Sequence, residues 1–458
     1  MRRVKNRAWI MILFLTCLLA GMCFFLFEYA MKAPQWVVFR GSPHVFSTSS
    51  VGKTLVHDRD GNLLLDTMES RVYSDNSSVR QATLHWLGDR NGHIRGTVLY
   101  DHMEDMIGYD PVNGVYGYSD VRSNVSLTLS SRVQVAALKA LSGRKGTVAV
   151  YNYKTGEILC AVTTPTYDPD NVPDIAGDTS GIYVGVYLNR FTQSTYTPGS
   201  IFQIVTMIAA LECIEDIENQ TFTCTGELQY GVDKVTCEKI HGTQNIRDAF
   251  KNSCNCAFAQ IAQLVGAEKM TEYVQAFGIL DSITFDGLVT AEGNYDLSGA
   301  DQVGLAWSAI GQYTDMINPC AYLTFMGAIA GGGEGALPYI VDTITLDEEV
   351  SYEAAVKTGK RIMSAELASQ LQEYLRNNVQ AVYGAGNFAG LTVCAKSGTS
   401  ELGGGKTPNS MFTGFCTDEA YPLAFIVVVE NGGYGASTCV PILSEVLRTC
   451  KEVLDANP

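Results

Sequence analysis

The sequence predicts an α+β domain in which one antiparallel sheet is covered by helices. Strand-like segments occur early, at residues 146–151 and 157–163, and again late, at residues 391–397, 410–416 and 423–430. The stretch between these two groups is mostly helical in pattern. Because the late segments follow one another as hairpins, we expect one antiparallel sheet whose edge strands pair late with early.

Apolar periodicity predicts the helices that flank this sheet. Ser364 is expected to cap one of them, since a hydroxyl at this position accepts a hydrogen bond from a free backbone N–H. A short strand at residues 125–129 comes before the first helix. The predicted helices span residues 131–141, 245–252, 257–265, 321–330, 364–377 and 440–454, together with one that starts at Ser200.

Size and charge limit the classes of function. A chain of 458 residues has room for a membrane segment and two or three domains, and 46% hydrophobic residues can fill a full core. A formal net charge of −16 argues against nucleic-acid partners, because phosphate backbones attract basic surfaces. We expect no nucleic-acid binding.

The N-terminus has the pattern of a membrane anchor. Four basic residues lie among residues 1–7, and residues 8–27 carry no charge, which matches the thickness of a bilayer. The basic cluster predicts a cytoplasmic tail and an extracytoplasmic remainder. The alternative is a cleaved signal peptide, but its apolar stretch is usually only about 7–15 residues long. We therefore expect a single-pass anchor that is not cleaved.

Two segments follow the anchor. Residues 28–124 are predicted to form a small pedestal or linker domain, with a linker at 35–50 and a hairpin at 53–65 that turns at 58–61. Residues 125–458 are predicted to form the main domain.

The turn at residues 196–203 is the most informative local feature. Pro198 and Gly199 mark a tight entry to an apolar helix, and Ser200 lies on its first turn. Unpaired N–H groups collect there, so a serine nucleophile would find donors for an oxyanion. The residue one turn later, on the same face, is Gln203, which cannot accept a proton at ordinary pH. A site suited to acyl transfer therefore lacks its expected base.

Two further polar islands interrupt apolar segments. Ser253 and Asn255 lie at a break between two helices, and Lys396 opens the run Lys-Ser-Gly-Thr near the end of a strand. Together with Ser200 they make three islands, and each alone is a common structural feature: an N-cap serine, a turn, or a charge on an edge strand. Their combination in this order is specific.

With these three motifs, the chain resembles the penicillin-binding proteins, in particular the monofunctional class B transpeptidases. The resemblance covers residues 125–458 and rests on an aromatic-x-Pro-Gly-Ser turn, a Ser-x-Asn motif and a Lys-Ser-Gly-Thr motif. It implies a fold like that of the penicillin-binding transpeptidases and serine β-lactamases. It also implies a role in peptidoglycan synthesis, with stem peptides ending in D-Ala-D-Ala as substrates, β-lactams as inhibitors and other wall-synthesis proteins as partners.

The resemblance also implies roles for individual residues. Ser200 would form the acyl-enzyme, and the backbone N–H groups of Ser200 and Thr399 would hold the oxyanion. Ser253 would relay protons, and Asn255 would hold the peptide amide. The residues expected to hold the substrate carboxylate or to line its site are Lys396, Ser397, Gly398 and Thr399.

Gln203 departs from the family pattern, which has lysine as the general base. One interpretation is a transpeptidase impaired by Gln203, in which Ser253 and Lys396 supply a slower proton path. The other is a pseudo-enzyme that binds wall peptides or partner proteins through the same cleft. A third interpretation is a β-lactam sensor or a β-lactamase. Two observations argue against it: a seven-residue tail leaves no signalling domain, and a hydrolase needs an efficient base.

Cysteine and histidine patterns give weaker expectations. Of thirteen cysteines, eleven lie outside the anchor, an odd number that cannot form a complete set of disulfides. Cys224 and Cys237 flank a predicted turn at 230–231, and both a disulfide and two buried thiols are compatible with that spacing. The histidines show no ligand spacing with cysteines or carboxylates, so we expect neither a metal nor a cofactor.

Overall fold

A computed structural model of the chain describes most of its residues. The described residues are 2–37, 53–68, 70–94, 99, 101–102, 105–106, 109–110, 115–116 and 122–456. Most of the predicted linker at 35–50 lies outside this described part.

The N-terminal half alternates short strands and helices. Its elements are α1 (Arg2–Val37), β1 (Lys53–His57), β2 (Leu63–Asp66), β3 (Val72–Tyr73), α2 (Ser77–Leu87), β4 (Tyr109–Asp110), β5 (Val115–Tyr116), β6 (Arg122–Leu127), α3 (Ser131–Leu141), β7 (Gly146–Asn152), β8 (Ile158–Thr164), α4 (Arg190–Gln193) and α5 (Gln203–Cys213). A 3-10 turn, Gly199–Phe202, leads directly into α5.

The C-terminal half contains three small two-stranded sheets, a group of helices and the late strands. Its elements are β9 (Thr221–Cys224), β10 (Glu227–Tyr230), β11 (Asp233–Thr236), β12 (Gly242–Asn245), α6 (Ile246–Lys251), α7 (Asn255–Val265), α8 (Ala267–Phe277), β13 (Thr284–Phe285), β14 (Leu288–Val289), α9 (Gln302–Ser308), α10 (Pro319–Ala330), β15 (Val341–Leu346), β16 (Glu349–Glu353), α11 (Ala365–Asn378), β17 (Val393–Ser400), β18 (Asn409–Cys416), β19 (Leu423–Val429) and α12 (Gly435–Ala456). A π-helical turn, Val379–Tyr383, extends α11.

A five-stranded antiparallel sheet forms the centre of the main domain. Its strand order is β17-β18-β19-β7-β8, so the late strand β19 pairs with the early strand β7. Side chains of β7 alternate between two cores: Val148 and Val150 pack with α3 and α12, while Ala149 and Tyr151 pack with the other helices. Both faces of the sheet are therefore covered. The predicted α+β fold with late strands pairing to early ones is confirmed.

A second, six-stranded sheet joins segments that are distant in sequence. Its order is β16-β15-β6-β1-β2-β3. The predicted hairpin is present in this sheet as β1 and β2. The Asp58 carboxylate accepts hydrogen bonds from the backbone of Asp60 and Asn62 and closes its turn. The strands of this sheet come from both sides of the predicted domain boundary at residue 124. Helix α2 is a separate difference, because the sequence predicted no helix in that segment.

The N-terminal helix is apolar throughout its middle. Within residues Val4–Ala33 of α1, an 18-residue stretch has a mean hydropathy of 2.7, and this is the one helix in the described part of the chain that is long and apolar enough to cross a membrane. The predicted span at residues 8–27 lies inside it.

Candidate active site and a neighbouring thiol cluster

The turn that carries Ser200 is packed directly against strand β17. Gly199 has a φ of +58°, and a Cβ there would lie 2.4 Å from the carbonyl oxygen of Thr399. A Cβ at Gly398 would lie 2.8 Å from the carbonyl oxygen of Pro198. Both distances are shorter than real side chains allow, so glycine is required on each side of this contact. The two glycines thereby bring Ser200 next to the backbone of Thr399.

The free edge of β17 presents backbone donors to this turn. The N–H of Ser397 donates to the hydroxyl of Tyr383 over 2.9 Å, which shows that this N–H points away from the sheet. Since N–H groups two residues apart point to the same side of a strand, the N–H of Thr399 also points off the edge. This direction is the one that the predicted oxyanion hole requires.

A chain of hydrogen bonds connects the second and third motifs. The Nζ of Lys396 donates to the Oγ of Ser253 over 2.9 Å, and that hydroxyl donates to the Oε1 of Gln203 over 3.2 Å. Gln203 is fully buried, and its Nε2 has no hydrogen-bond partner among the described residues. Gln203 therefore orients the hydroxyl of Ser253, but it carries no titratable group.

Lys396 contributes an amine to the site. Its side chain is fully buried, and burial lowers the pKa of Lys396 from 10.5 to about 7, against the opposing charge of Glu238. The amine donates a second hydrogen bond to the carbonyl of Ser397 and lies 5.9 Å from the centre of the Phe250 ring. No ion pair of Lys396 with a carboxylate occurs within the described residues. A large share of this amine is thus neutral near pH 7.

The backbone of Ser253 is held in an unusual conformation. Its φ is +51°, a left-handed value that non-glycine residues adopt at a cost and that is often found at functional sites. The conformation is fixed because the N–H groups of Ser253 and Cys254 bond to carbonyls of helix α6. Helix α7 then begins at Asn255, whose Nδ2 donates to the carbonyl of Thr236 over 2.9 Å.

The remaining predicted residues line one open cleft of about 480 Å³, within the usual range for ligand sites. Thr399 accepts a hydrogen bond from the N–H of Gly435 through its Oγ1, and Ser397 shares a 3.0 Å hydrogen bond with Tyr383. The predicted residues on the cleft wall are Ser200, Ser253, Asn255, Ser397 and Thr399. Lys396, Gly398 and Gln203 lie behind this wall.

Tyr383 is a site residue that the sequence did not reveal. It lies in the π-helical turn after α11, just beyond the predicted end of that helix at residue 377. Such turns are frequent at functional sites. Its hydroxyl contacts both the backbone and the side chain of Ser397. Because tyrosine is frequent throughout the chain, no sequence signal distinguished this one.

The thiols near Ser253 decide between two alternatives and correct one expectation. Cys224 and Cys237 are free and not disulfide-bonded, although the predicted hairpin between them is present as β10 and β11. His241 lies beside both of them, with Nδ1 3.6 Å from the sulfur of Cys224 and 3.5 Å from that of Cys237. Cys254 completes a group of four that could hold a metal ion. The expectation that no histidine has ligand spacing was wrong, because it overlooked the Cys-x-x-x-His spacing of 237 and 241.

Comparison with models of protein families finds a match to the penicillin binding protein transpeptidase domain. The match covers residues 146–448, which is more than half of the chain. The chain belongs to this family. Among class B relatives, the chain is 28% identical over 341 residues to the peptidoglycan D,D-transpeptidase PbpA of Mycobacterium tuberculosis, covering 68% of this chain and 67% of that one. It is also 28% identical over 363 residues to stage V sporulation protein D of Bacillus subtilis, covering 73% and 54% of the two chains.

Solved structures of family members have the same fold. The D,D-transpeptidase domain of a peptidoglycan glycosyltransferase from Eggerthella lenta superposes with a TM-score of 0.74 at 25% identity, covering 88% of this chain and 98% of that one. Penicillin-binding protein A of M. tuberculosis, solved as a ceftriaxone acyl-enzyme complex, superposes with a TM-score of 0.70 at 23% identity, covering 89% and 99%. At 23% identity, the similarity to penicillin-binding protein A is evidence for the fold alone.

Proposed function

We propose that this chain is a membrane-anchored peptidoglycan D,D-transpeptidase that transfers acyl groups through Ser200, with Ser253 and Lys396 as its proton acceptors. The observation that carries the proposal is the 2.9 Å hydrogen bond between Ser253 and a fully buried lysine whose pKa is about 7. A base with a pKa near the working pH is well matched to general-base catalysis. The similar relatives that bear the name D,D-transpeptidase support the reaction class.

The proposed reaction proceeds in two acyl-transfer steps. The Oγ of Ser200 attacks the carbonyl of the penultimate D-Ala in a stem peptide, and its proton passes to Ser253 as Ser253 gives its own proton to neutral Lys396. The N–H groups of Ser200 and Thr399 stabilise the oxyanion. The terminal D-Ala then leaves with the proton. The amine of a neighbouring strand then attacks the acyl-enzyme carbonyl and forms the amide cross-link. The amine gives up one proton to the same relay, and the Oγ of Ser200 regains one as its bond to the acyl group breaks.

Gln203 makes this path slower than that of a relative with lysine at the same position. The Oε1 of Gln203 accepts a hydrogen bond from the hydroxyl of Ser253. The hydroxyl must therefore rotate before its proton can move to Lys396. General-base assistance is worth roughly 10²–10⁴-fold, and a misdirected relay loses part of it. We place the domain outside the cytoplasmic membrane, with stem peptides and β-lactams as ligands and other wall-synthesis proteins as partners.

A second candidate function is a non-catalytic role in wall synthesis. It is favoured by the complete burial of Gln203 at the expected position of the base, where it keeps a hydrogen bond but cannot titrate. In that case the cleft binds wall peptides or partner proteins without acyl transfer.

Labelling with a β-lactam separates the two functions. The full chain in detergent is treated with a penicillin, and intact mass is followed for the wild type, Ser200→Ala and Gln203→Lys. Acyl transfer predicts that the wild type gains the mass of the drug and that Ser200→Ala does not. If only Gln203→Lys is labelled, the result supports the non-catalytic role. If neither the wild type nor Gln203→Lys is labelled, the result contradicts acyl transfer through Ser200.

A further inference from the structure

Three sulfur atoms and one imidazole nitrogen converge beside the acyl-transfer groups. They belong to Cys224 at the end of β9, Cys237 after β11, His241 before β12 and Cys254 before α7, and all lie within 4.8 Å of one another. We call this group the Cys₃His cluster. The donors come from three separate segments of the chain, so the fold brings them together.

Three separations within the Cys₃His cluster are close to those of a tetrahedral metal site. Zinc bonds of about 2.3 Å to sulfur and about 2.0 Å to nitrogen give tetrahedral edges of about 3.8 Å between two sulfurs and about 3.5 Å between sulfur and nitrogen. The sulfurs of Cys237 and Cys254 are 3.9 Å apart. The Nδ1 of His241 is 3.5 Å from the sulfur of Cys237 and 3.6 Å from that of Cys224.

Neither a disulfide nor simple thiol packing accounts for all four side chains. A disulfide requires two sulfurs about 2.05 Å apart and would use only two of the four groups. Buried thiols acting as small apolar residues would not gather around a polar imidazole. Cys224 and Cys254 are fully buried, whereas Cys237 and His241 are partly exposed and line the cleft. A site with an open side of this kind allows a metal ion to enter.

The surrounding segment is built from short strands. Residues 221–245 form two small two-stranded sheets, and Val232 and Ile240 in the connecting loops are exposed to solvent. Small units of this kind commonly gain stability from a metal or a disulfide. A single ion would tie β9, the β10–β11 hairpin and the start of α7 together.

We propose that Cys224, Cys237, His241 and Cys254 bind one structural Zn²⁺ ion, which fixes the turn that presents Ser253 and Asn255 to the cleft. Three thiolates and one imidazole are a donor set that zinc prefers in closed structural sites. Cys254 is the middle residue of the Ser-x-Asn motif, and Asn255 bonds to the carbonyl of Thr236, next to Cys237. The ion therefore holds both ends of that hydrogen bond.

Metal content tests this proposal independently of acyl transfer. The full chain is purified in detergent under reducing conditions, and zinc is measured by elemental mass spectrometry for the wild type, Cys237→Ser and Cys213→Ser. Cys213 is an exposed cysteine away from the cluster and provides a matched control. We expect about one zinc per chain in the wild type and the control, and less than a tenth of that in Cys237→Ser. Equal zinc in all three chains would overturn the proposal.

Cobalt gives a second readout that does not depend on how well a variant folds. Metal-stripped, reduced wild-type chain is titrated with Co²⁺ alone, and absorption is recorded. We expect thiolate-to-metal charge-transfer bands and intense tetrahedral bands that saturate at one equivalent, with zinc displacing the cobalt. No such bands, or an intact mass that shows a disulfide between Cys224 and Cys237 in place of metal, would contradict the site.

Discussion

Ser253 and Cys254 are adjacent in the chain, yet they face two different chemical environments. Ser253 lies in a line of hydrogen bonds between Lys396 and Gln203, where a buried amine has no carboxylate partner within the described residues. Cys254 faces the Cys₃His cluster. The first environment depends on a proton that can move, and the second on donors that stay in place.

The difference shows how one turn can serve reactivity and rigidity together. Burying the Lys396 amine lowers its pKa and costs stability, which is the usual trade-off at a catalytic group. A metal in the Cys₃His cluster would offset that cost within the same turn, because binding energy contributes directly to folding. Changes on the Ser253 side should therefore mainly alter rate, and changes on the Cys254 side should mainly alter stability.

The largest expected effect is on the rate of acylation in Lys396→Met. Removal of the amine leaves Ser253 with no base, so we expect the rate of β-lactam acylation to fall roughly 10²–10⁴-fold. The rate is measured by intact mass spectrometry of samples quenched at successive times. Lys357→Met, a change at an exposed lysine outside the cleft, is the control and should keep the wild-type rate. An equal rate in Lys396→Met would remove Lys396 from the mechanism.

The same variant should show the opposite effect on stability. The pKa of Lys396 is lowered from 10.5 to about 7 in the folded chain, so the folded state binds fewer protons than the unfolded state. The lysine therefore destabilises the fold fully below pH 7, and this cost disappears as the pH rises towards 10.5. A lowering of this size corresponds to at most ~5 kcal/mol.

We expect Lys396→Met to raise the Tm at pH 6 by several degrees relative to the wild type, and the difference to shrink by pH 10. Thermal unfolding monitored at both pH values checks this. The lost hydrogen bonds to Ser253 and Ser397 lower both values together, so the change with pH is the diagnostic quantity. A difference that does not vary with pH would mean that the amine stays charged.

A smaller effect is expected when the contact behind Ser200 is widened. In Gly398→Ala, the new methyl group would lie 2.8 Å from the carbonyl oxygen of Pro198 and 3.0 Å from Cγ2 of Ile201. Such overpacking typically costs about 1–3 kcal/mol, and it moves the Thr399 N–H away from Ser200.

We expect Gly398→Ala to lose about tenfold in acylation rate and to unfold at a lower temperature. Gly299→Ala is the matched control, since nothing lies within 4 Å of a Cβ at that position. If both alanine variants behave alike, the close contact between the turn and β17 does not position the oxyanion hole.

The smallest expected effect concerns Tyr383. Tyr383→Phe removes the hydroxyl that contacts Ser397 twice, and each hydrogen bond is worth about 0.5–1.5 kcal/mol. We expect a severalfold weaker apparent affinity for the β-lactam with little change in the maximal acylation rate. Tyr421→Phe, which loses a hydroxyl contact on the distant helix α12, should leave both quantities unchanged. A drop in the maximal rate alone would argue against a binding role.

Much of the fold followed from local sequence patterns. The central strands and helix α3 agree with the predicted elements because their apolar periodicity is strong. Ser364 caps α11 as expected, accepting a hydrogen bond from the N–H of Leu367. Helix α2 was missed because its buried face includes polar residues such as Thr83 and His85. Tertiary contacts supply the stability that its pattern does not show.

The candidate site was predictable where it rests on motifs and unpredictable where it rests on packing. The three motifs indicated Ser200, Ser253 and Lys396 directly. The hydrogen bond from Ser253 to Gln203 depends on how α5 and α7 pack, which no spacing reveals. The Cys₃His cluster had a signal, because Cys237 and His241 are spaced like zinc ligands, but Cys224 and Cys254 join them only through the fold.

The pH dependence of Ser200 acylation tests the central claim most directly. The initial rate of β-lactam acylation of the full chain is measured by intact mass between pH 5 and pH 9, for the wild type and Lys396→Met. Because neutral Lys396 is the proposed proton acceptor, the wild-type rate should rise with pH, with a midpoint near 7, and then level off. In Lys396→Met this rise should be absent. A wild-type rate that does not change with pH, or the same rise in both chains, would contradict the account.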